Sequence, residues 1–191
     1  LPFADPGQYV AEREVARGGM GRIIAARDRV LGRPVALKEL LAPGPDSAMR
    51  FRREALITAR LQHPAIVGIY EAGRFGDGEP FYAMPLVRGV SLDVEIERRP
   101  ELAERLALLP HLTSACEAIA YAHREGVVHR DLKPDNIFVC EGDEGFSAKV
   151  LDFCISKIRG AMKSLTGGGT RQYQIARPFA NPRRYGIFAG N

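Results

Sequence analysis

The segment HRDLKPDN, His129–Asn136, constrains the fold of this 191-residue chain more than any other, because it is strongly polar yet lies between apolar runs. Val127 and Val128 precede the segment, and Ile137–Val139 follows it. Short apolar runs of this kind predict buried strands. We therefore expect a polar loop that is held rigidly at both ends, which is a suitable place for reactive groups.

The side chains of this loop suit chemistry on phosphates with the help of a metal ion. Asp131 can act as a base, Lys133 can neutralise an oxyanion or a phosphate, and Asn136 can bind a metal through its amide oxygen. Asp152 interrupts the apolar run VLDFCISK, Val150–Lys157, which predicts another buried strand, so its charge needs a partner. Because Asp152 follows Asn136 after one hairpin, we expect both to bind Mg²⁺, with phosphates and water completing the coordination.

Composition restricts the partners and the compartment. The net charge of +4 suits phosphate-bearing ligands, but scattered Lys and Arg without aromatic interleaving, and the absence of Trp, predict no nucleic-acid partner. Cys116, Cys140 and Cys154 show no CxxC spacing, which favours a reducing compartment over disulfides or a zinc site. There is no apolar run long enough for a membrane span and no signal peptide, so we expect a cytoplasmic protein or the cytosolic part of a larger membrane-anchored one.

Apolar β-branched residues bounded by Gly and Pro predict strand hairpins near the start of the chain. Three strands are expected at residues 9–16, 17–28 and 33–41. A helix is expected in residues 43–64, with Asp46 or Ser47 capping its start. Two further strands, in residues 65–73 and 80–87, flank the Gly-rich turn RFGDGE.

The middle of the chain is predicted to be helical. Residues 91–100 form a short helical piece, and residues 101–126 have apolar positions at helical spacing, with Pro110 beginning or kinking a segment. Two short strands around a charged loop are expected in residues 127–157. The stretch from Gly167 onward shows neither period and is predicted to be irregular.

Together these motifs resemble a protein kinase of the eukaryotic type that is also found in bacteria. HRDLKPDN matches the catalytic-loop pattern in full, and Lys133 favours the Ser/Thr class. VALK, ending at Lys38, resembles the lysine strand, RFRREA supplies the helix glutamate Glu54, and VARGGMGRI resembles the glycine-rich loop. The glycine motif is imperfect, because Ala16 replaces its first glycine, and taken alone it fits an ordinary hairpin turn equally well.

The resemblance implies an α+β, protein-kinase-like two-lobe fold, in which an antiparallel-sheet small lobe with one helix precedes an incomplete, mainly helical large lobe. It implies that ATP and Mg²⁺ bind in the cleft between the lobes, with Lys38 on the α- and β-phosphates and Glu54 orienting Lys38. Asp131 would accept the substrate proton, with Lys133 near the γ-phosphate, while Asn136 and Asp152 would bind Mg²⁺. The other positions implied to surround ATP are Ala16, Gly18, Gly19, Gly21, Ile23, Ala36, Met84, Pro85, Val87 and Phe138.

The resemblance also concerns regulation. Arg130 before Asp131 resembles kinases that are switched by phosphorylation of the activation loop, where Ser164, Thr166 and Thr170 are the candidate sites. Unmodified hydroxyls are an equally open interpretation, and Thr170 also matches a threonine that contacts the catalytic Asp. Cys154 stands where the family has a glycine that lets the backbone pivot, so its Cβ should restrict the switch.

The resemblance divides the chain into an ATP-binding small lobe at residues 8–87, a partial large lobe at 88–170 and an irregular tail at 171–191. After Thr170 the expected Ala-Pro-Glu motif and further helices do not follow, so we expect a frameshift, a truncated kinase or a fragment boundary. Without those helices, the helix around Leu112–Ala122 is expected to expose an apolar flank.

Protein substrates with Ser or Thr, nucleotide, and a dimer through the small lobe are the implied partners. The leading function is ATP-dependent phosphorylation of protein Ser/Thr hydroxyls, and we keep family membership separate from the activity of this chain. The alternative is a catalytically inactive nucleotide-binding pseudokinase or interaction module. A dinucleotide-binding oxidoreductase is excluded because the glycine loop joins two strands and does not open a helix.

Overall fold

The computed structural model describes residues 4–18, 21–41, 44–142 and 145–153. Within them the chain forms two compact units, one made of residues up to Ala55 together with Ile69–Leu86, the other of Leu56–Gly68 together with the residues from Val87 onward. In the described residues no helix has both the length and the apolar character that a membrane span requires. The domain limits expected from the sequence, after residues 87 and 170, stay predictions.

The first unit is built on one antiparallel sheet of five strands in the order β1-β2-β3-β5-β4. The three strands expected first in the chain are confirmed, because Gly and Pro between the apolar runs allow tight connections. The strands are β1 at Tyr9–Arg17, β2 at Gly21–Asp28, β3 at Pro34–Leu40, β4 at Glu71–Arg74 and β5 at Pro80–Pro85.

One face of this sheet buries an apolar cluster. Ile24, Val35 and Leu37 are fully inaccessible to solvent in it. Tyr9 and Phe81 meet edge to face, with ring centroids 5.9 Å apart, a geometry that aromatic pairs favour. Because side chains alternate between the two faces of a strand, Ala36 and Lys38 of β3 lie on the opposite face of the sheet.

Helix α1, Pro45–Thr58, packs against the sheet through Phe51 and Ala55. The ring of Phe51 lies 4.9 Å from that of Tyr82. The helix begins one residue before the expected caps, because Pro is favoured in the first helical turn. The Ser47 hydroxyl bonds back to the N–H and carbonyl of Gly44, both at 2.9 Å, so it supports the helix start from inside the first turn.

The described residues of the second unit form the α-helices α2, α3 and α4 and a small sheet. Helix α4 carries Ala115, Ala118 and Ala122 at helical spacing on its buried face, where small side chains allow close packing. As expected, Pro110 lies at the start of a segment, in the first turn of α4. The elements are β6 at Val90–Ser91, α2 at Leu92–Glu97, α3 at Leu102–Leu106, α4 at Leu109–Arg124, β7 at Ile137–Gly142 and β8 at Gly145–Val150, with sheet order β6-β7-β8.

The expected apolar flank on the long helix is confirmed and also includes α3. Leucine side chains at helical spacing are between 45% and 71% exposed along α3 and α4, and they are Leu102, Leu106, Leu109 and Leu112.

The end of the strand expected at 65–73 is confirmed as β4, but three other segments expected to be strands are not. Residues 65–70 form no sheet strand: Ala65 and Val67 instead exchange backbone bonds with Val150, from Val150 N–H to Ala65 at 2.7 Å and from Val67 N–H to Val150 at 3.2 Å. Val127 and Val128 lie outside any strand, and Val128 is 53% exposed. In the run around Asp152, the described residues 151–153 are likewise outside any strand, because β8 ends at Val150. These three apolar segments are therefore not strands of a β-sheet.

Candidate active site

Lys38 and Glu54 form an ion pair in the first unit. The Lys38 Nζ lies 2.7 Å from Glu54 Oε1, and Tyr82 donates its hydroxyl to the same oxygen at 3.0 Å. The ammonium also lies 5.7 Å from the centre of the Tyr82 ring. Only 15% of the Lys38 side chain and 11% of the Glu54 side chain are exposed. Partial burial of both groups weakens solvent screening of the pair, and the pair fixes where the ammonium lies.

The register of the sheet gathers further expected residues around this pair. Lys38 pairs with Ile23 on one side and with Tyr82 on the other. Ala36 pairs with Met84 and, two residues from Lys38, lies on the same face. Ile23, Ala36 and Met84 therefore share one face with Lys38. Sequence reasoning missed Tyr82, although its spacing of two from Met84 could have indicated that it lies on this face.

The glycine turn joins β1 to β2 and is closed by the Gly18 N–H, which donates to the Gly21 carbonyl at 2.8 Å. Ala16, which replaces the first glycine, lies in β1 opposite Ile23, beside a register shift. At Gly21, an added Cβ would lie 2.4 Å from the Glu39 carbonyl oxygen. The close approach of β3 therefore requires glycine at this position, whatever the turn binds.

A network of ions flanks the glycine turn. Arg22 contacts both Glu39, which is 1% exposed, and Glu14, the latter at 3.6 Å. Arg17 donates to Glu14 at 2.6 Å from its Nε, and this hydrogen bond raises the pKa of the Arg17 guanidinium. Sequence reasoning missed this network because it depends on the register between β1, β2 and β3. It fixes the strands on both sides of the turn.

In the second unit, Asn136 connects the polar loop to the hairpin that follows. Its side chain is 1% exposed, and its Nδ2 donates to the Asp131 carbonyl at 2.7 Å. Its backbone carbonyl accepts from the Leu151 N–H at 2.9 Å, one residue before Asp152. Because the amide nitrogen donates this hydrogen bond to Asp131, the acceptor oxygen must be at the other end of the Asn136 amide. The structure thus brings the segments of Asp131, Asn136 and Asp152 together.

His129 contacts the residues on both sides of Asp152. It is 2% exposed, its Nε2 lies 2.9 Å from the Leu151 carbonyl, and its ring centroid lies 4.8 Å from that of Phe153. Arg130 and Asp152 both have positive φ, 65° and 50°. Such backbone strain in residues other than glycine persists only where the surroundings impose it, and it is concentrated at functional sites.

Lys133 pairs with Asp135, with Nζ and Oδ2 2.9 Å apart. Asp135 in turn contacts Asp93 near the start of α2. Burial opposes ionisation of Asp93, but hydrogen bonds from the Ser91 side chain and from the Val94 backbone help to outweigh it and lower its pKa. Lys133 is therefore anchored by a carboxylate within its own loop.

Several expected residues lie outside the described residues, namely Gly19, Cys154, Ser164, Thr166 and Thr170. Pro85 ends β5 opposite Val35, and Val87 and Phe138 are half-buried. Among the described residues no group of three or more His, Cys, Asp or Glu side chains could hold a metal ion. Asn136 and Asp152 alone could supply at most two protein ligands, which suits an ion completed by phosphates and water.

The architecture is a protein-kinase-like fold, with an antiparallel sheet carrying a lysine–glutamate pair and a helical unit carrying the HRDLKPDN loop. The protein kinase domain family model matches residues 9–183. This chain belongs to the protein kinase domain family. The match continues beyond Thr170, where the resemblance in the sequence was expected to end.

Curated relatives are bacterial serine/threonine-protein kinases. PknA of Mycobacterium tuberculosis is 38% identical over 177 residues, covering 87% of this chain and 40% of that protein. PknD of Protochlamydia amoebophila is 35% identical over 164 residues, covering 78% of this chain and 16% of that protein. The chain therefore spans less than half the length of these relatives.

Solved structures give the same fold. The crystal structure of the Mycobacterium tuberculosis PknI kinase domain matches with a TM-score of 0.63 and 30% sequence identity. The match covers 82% of this chain and 62% of that one.

Proposed function

We propose that this chain acts as a serine/threonine protein kinase domain, which transfers the γ-phosphoryl group of ATP to Ser or Thr hydroxyls of protein substrates. The observation that carries the proposal is the formed Lys38–Glu54 pair at 2.7 Å, because kinase catalysis requires this pair to be in place. Membership of the kinase family supports it.

In the first unit, Lys38 would hold the α- and β-phosphates while Glu54 and Tyr82 hold Lys38. Ile23 and Ala36 share the face of Lys38 and offer apolar surface for the adenine ring, with Met84 at the gatekeeper position. Backbone groups of Pro85 and Val87 would meet the adenine edge, and Phe138 is a further proposed contact of the adenine ring. The glycine turn, from Ala16 to Gly21, would cover the phosphates with its N–H groups.

In the second unit, Asp131 would orient the substrate hydroxyl and accept its proton. Its backbone is held by the Asn136 amide at 2.7 Å. Lys133 would neutralise charge on the transferred group, for which it must exchange Asp135 for a phosphate oxygen. The activation-loop candidates Ser164, Thr166 and Thr170 remain proposed sites of phosphorylation, and a dimer through the small lobe remains a proposed association.

The residues present fit Mg²⁺. The Asn136 amide nitrogen is engaged with Asp131, so the amide oxygen is the end left for a metal, and Asp152 lies two residues beyond Val150, the β8 residue paired with Ile137. An amide and a carboxylate oxygen are hard ligands of the kind that Mg²⁺ prefers. The ion would neutralise charge on the β- and γ-phosphates.

The test compares the wild-type chain with Asp131→Asn, using radiolabelled ATP and a generic basic protein as substrate. We expect phosphate incorporation by the wild type and a loss of at least a hundredfold in the variant, since a positioned base contributes roughly 10²–10⁴-fold. Equal incorporation by both proteins would overturn the proposal. An ATP-dependent rise in melting temperature without turnover would instead support the nucleotide-binding module.

A further inference from the structure

A pocket of about 770 Å³ lies in the second unit, where α2 ends. This volume is within the range of roughly 300–1,000 Å³ that is typical of ligand pockets. Its charged lining consists of Arg88, Arg98, Arg99 and Glu95. Three arginines against one glutamate leave two net positive charges around a single concave surface. No expected active-site residue is among its lining residues.

Glu95 orients two of these arginines. Its carboxylate accepts from Arg98 Nη1 at 3.1 Å and from Arg99 Nη1, and Arg99 Nη1 also bonds to the Glu95 carbonyl at 2.9 Å. The bond from Arg99 is the chief reason why the pKa of Glu95 is lowered, so the carboxylate stays ionised. A guanidinium has five N–H donors. Arg98 and Arg99 each donate to Glu95 through Nη1, which leaves further N–H donors on each guanidinium for a ligand.

The apolar lining residues Val90 and Val139, with Gly89, belong to closely packed backbone segments. Val90 pairs with Val139 across β6 and β7. An added Cβ at Gly89 would lie 2.4 Å from the Val139 carbonyl oxygen, so glycine is needed for this approach. The backbone of these lining residues is therefore closely packed, so that a ligand need not order it on binding.

The lining favours one class of ligand. Arginine binds phosphate through paired, charge-assisted hydrogen bonds, and a phosphorylated side chain carries about −1.5 to −2 charges at neutral pH with three acceptor oxygens. None of the lining residues is aromatic, so the pocket offers no platform for stacking a nucleotide base. Three arginines in a concave surface are also fewer than the roughly 4–8 basic residues of segments that bind anionic membranes.

We propose that the pocket formed by Arg88, Arg98 and Arg99 binds a phosphorylated Ser or Thr side chain of a partner protein. The phosphate would replace solvent between the guanidinium groups that Glu95 orients. This binding does not require phosphoryl transfer by the chain, so it stands or falls separately from the proposed activity.

The experiment is fluorescence anisotropy of the whole chain with a labelled peptide of neutral residues that carries one central phosphoserine. The same peptide with unmodified Ser, and with Glu at that position, provides the comparison. We expect the phosphopeptide to bind at least tenfold more tightly than either. Equal affinity of the Ser peptide would overturn the proposal, and equal affinity of the Glu peptide would replace phosphate recognition by a general acidic preference.

The double variant Arg88→Gln/Arg98→Gln should weaken phosphopeptide binding by roughly tenfold or more, because hydrogen bonds to a charged group are lost. Arg60→Gln is the matched control, since Arg60 is an exposed arginine of the same unit outside the pocket, and it should change affinity less than twofold. An equal loss of phosphopeptide affinity in the double variant and in Arg60→Gln would show that the peptide is attracted by overall charge, and it would overturn the proposed site. If the double variant does not melt cooperatively, Arg88→Gln alone decides, because Arg88 is exposed.

Vesicles that contain anionic lipid form the last arm of the test. We expect them neither to bind the chain through these arginines nor to compete with the phosphopeptide. Vesicle binding that is abolished by Arg88→Gln/Arg98→Gln, without phosphopeptide binding, would assign the pocket to a membrane surface and overturn the proposal.

Discussion

The ammonium of Lys38 on β3 lies 2.7 Å from the carboxylate of Glu54 on α1, and the Tyr82 hydroxyl donates to the same carboxylate oxygen. Glu54 Oε1 thus accepts hydrogen bonds from a charged donor, Lys38, and from a neutral donor, Tyr82. Lys38 and Glu54 are both largely buried. The strength of their ion pair therefore depends more on the carboxylate charge than the strength of an exposed pair does.

Replacing Glu54 by Gln should separate the charge from the hydrogen bond. The amide oxygen can still accept from Tyr82, but the negative charge that Glu54 places beside Lys38 is lost. We expect the free energy of unfolding to fall by about 1–2 kcal/mol, which is the difference between charged and neutral hydrogen bonds. We also expect most of the ATP-induced rise in melting temperature to disappear. Urea unfolding and thermal shift with and without ATP measure the two effects.

Tyr82→Phe is the control for this change. It removes one donor and leaves the ion pair, so it should cost about 0.5–1.5 kcal/mol and preserve the ATP response. If both variants respond equally to ATP, the pair has no special role in nucleotide binding.

Gly21→Ala should destabilise the chain even without nucleotide. The added Cβ would lie 2.4 Å from the Glu39 backbone carbonyl, and forcing such overpacking costs about 1–3 kcal/mol. Gly76→Ala is the matched control, because an added Cβ there meets no atom within 4 Å. Urea unfolding without ATP tests the comparison, and equal stabilities of the two variants would show that the β3 backbone does not require glycine at position 21.

Much of the first unit could be predicted from the sequence, for a physical reason. Strands β1, β2 and β3 are short runs rich in apolar residues between Gly and Pro breaks, so local pattern and tertiary burial agree. Lys38 and Glu54 could be placed together because the kinase resemblance supplies the long-range pairing. Contacts set by register alone, such as Arg22 with Glu39, could not be found because no local pattern encodes them.

The wrong strands share one cause. The apolar runs at residues 65–70, at Val127 and Val128, and at 151–153 join no sheet strand, and they bury only some of their side chains, since Val128 is 53% exposed. Val67 and Ala65 exchange backbone bonds with the single residue Val150, so burial is achieved by an isolated bridge. Periodicity cannot distinguish this from a strand. The left-handed conformation of Asp152, with φ of 50°, was equally invisible because it is imposed by its surroundings.

Asn136→Asp should destabilise the second unit in the absence of any ligand. The Asn136 amide donates to the Asp131 carbonyl at 2.7 Å in a site that is 1% exposed. A carboxylate cannot donate when ionised and would face the carbonyl oxygen, at a cost of about 2–3 kcal/mol. Asn136→Ala should cost less, because it removes the bond without adding a charge. Urea unfolding at pH 7 of both variants measures this order, and the reverse order would contradict it.

The stability of the chain should decrease in mildly acidic solution because of His111. Burial, together with the positive charge of Arg99, lowers the pKa of His111, while Glu95 acts in the opposite direction. The unfolded chain therefore binds the proton more readily than the folded one. Stability is fully present above the unfolded pKa of about 6.5 and falls as the pH decreases from there through the folded pKa.

His111→Gln should flatten this dependence, because the titrating group is removed. His123→Gln is the control, since His123 lies exposed in the last turn of the same helix. Urea unfolding at pH values from 5 to 8 should give a shallower slope for His111→Gln than for the wild type, with His123→Gln close to the wild type. The slope reports the difference in protons bound by the two states, so the comparison remains valid even if the substitution itself lowers stability at every pH. An unchanged slope in His111→Gln would assign the acid sensitivity to carboxylates such as Glu95, whose pKa is lowered chiefly by Arg99.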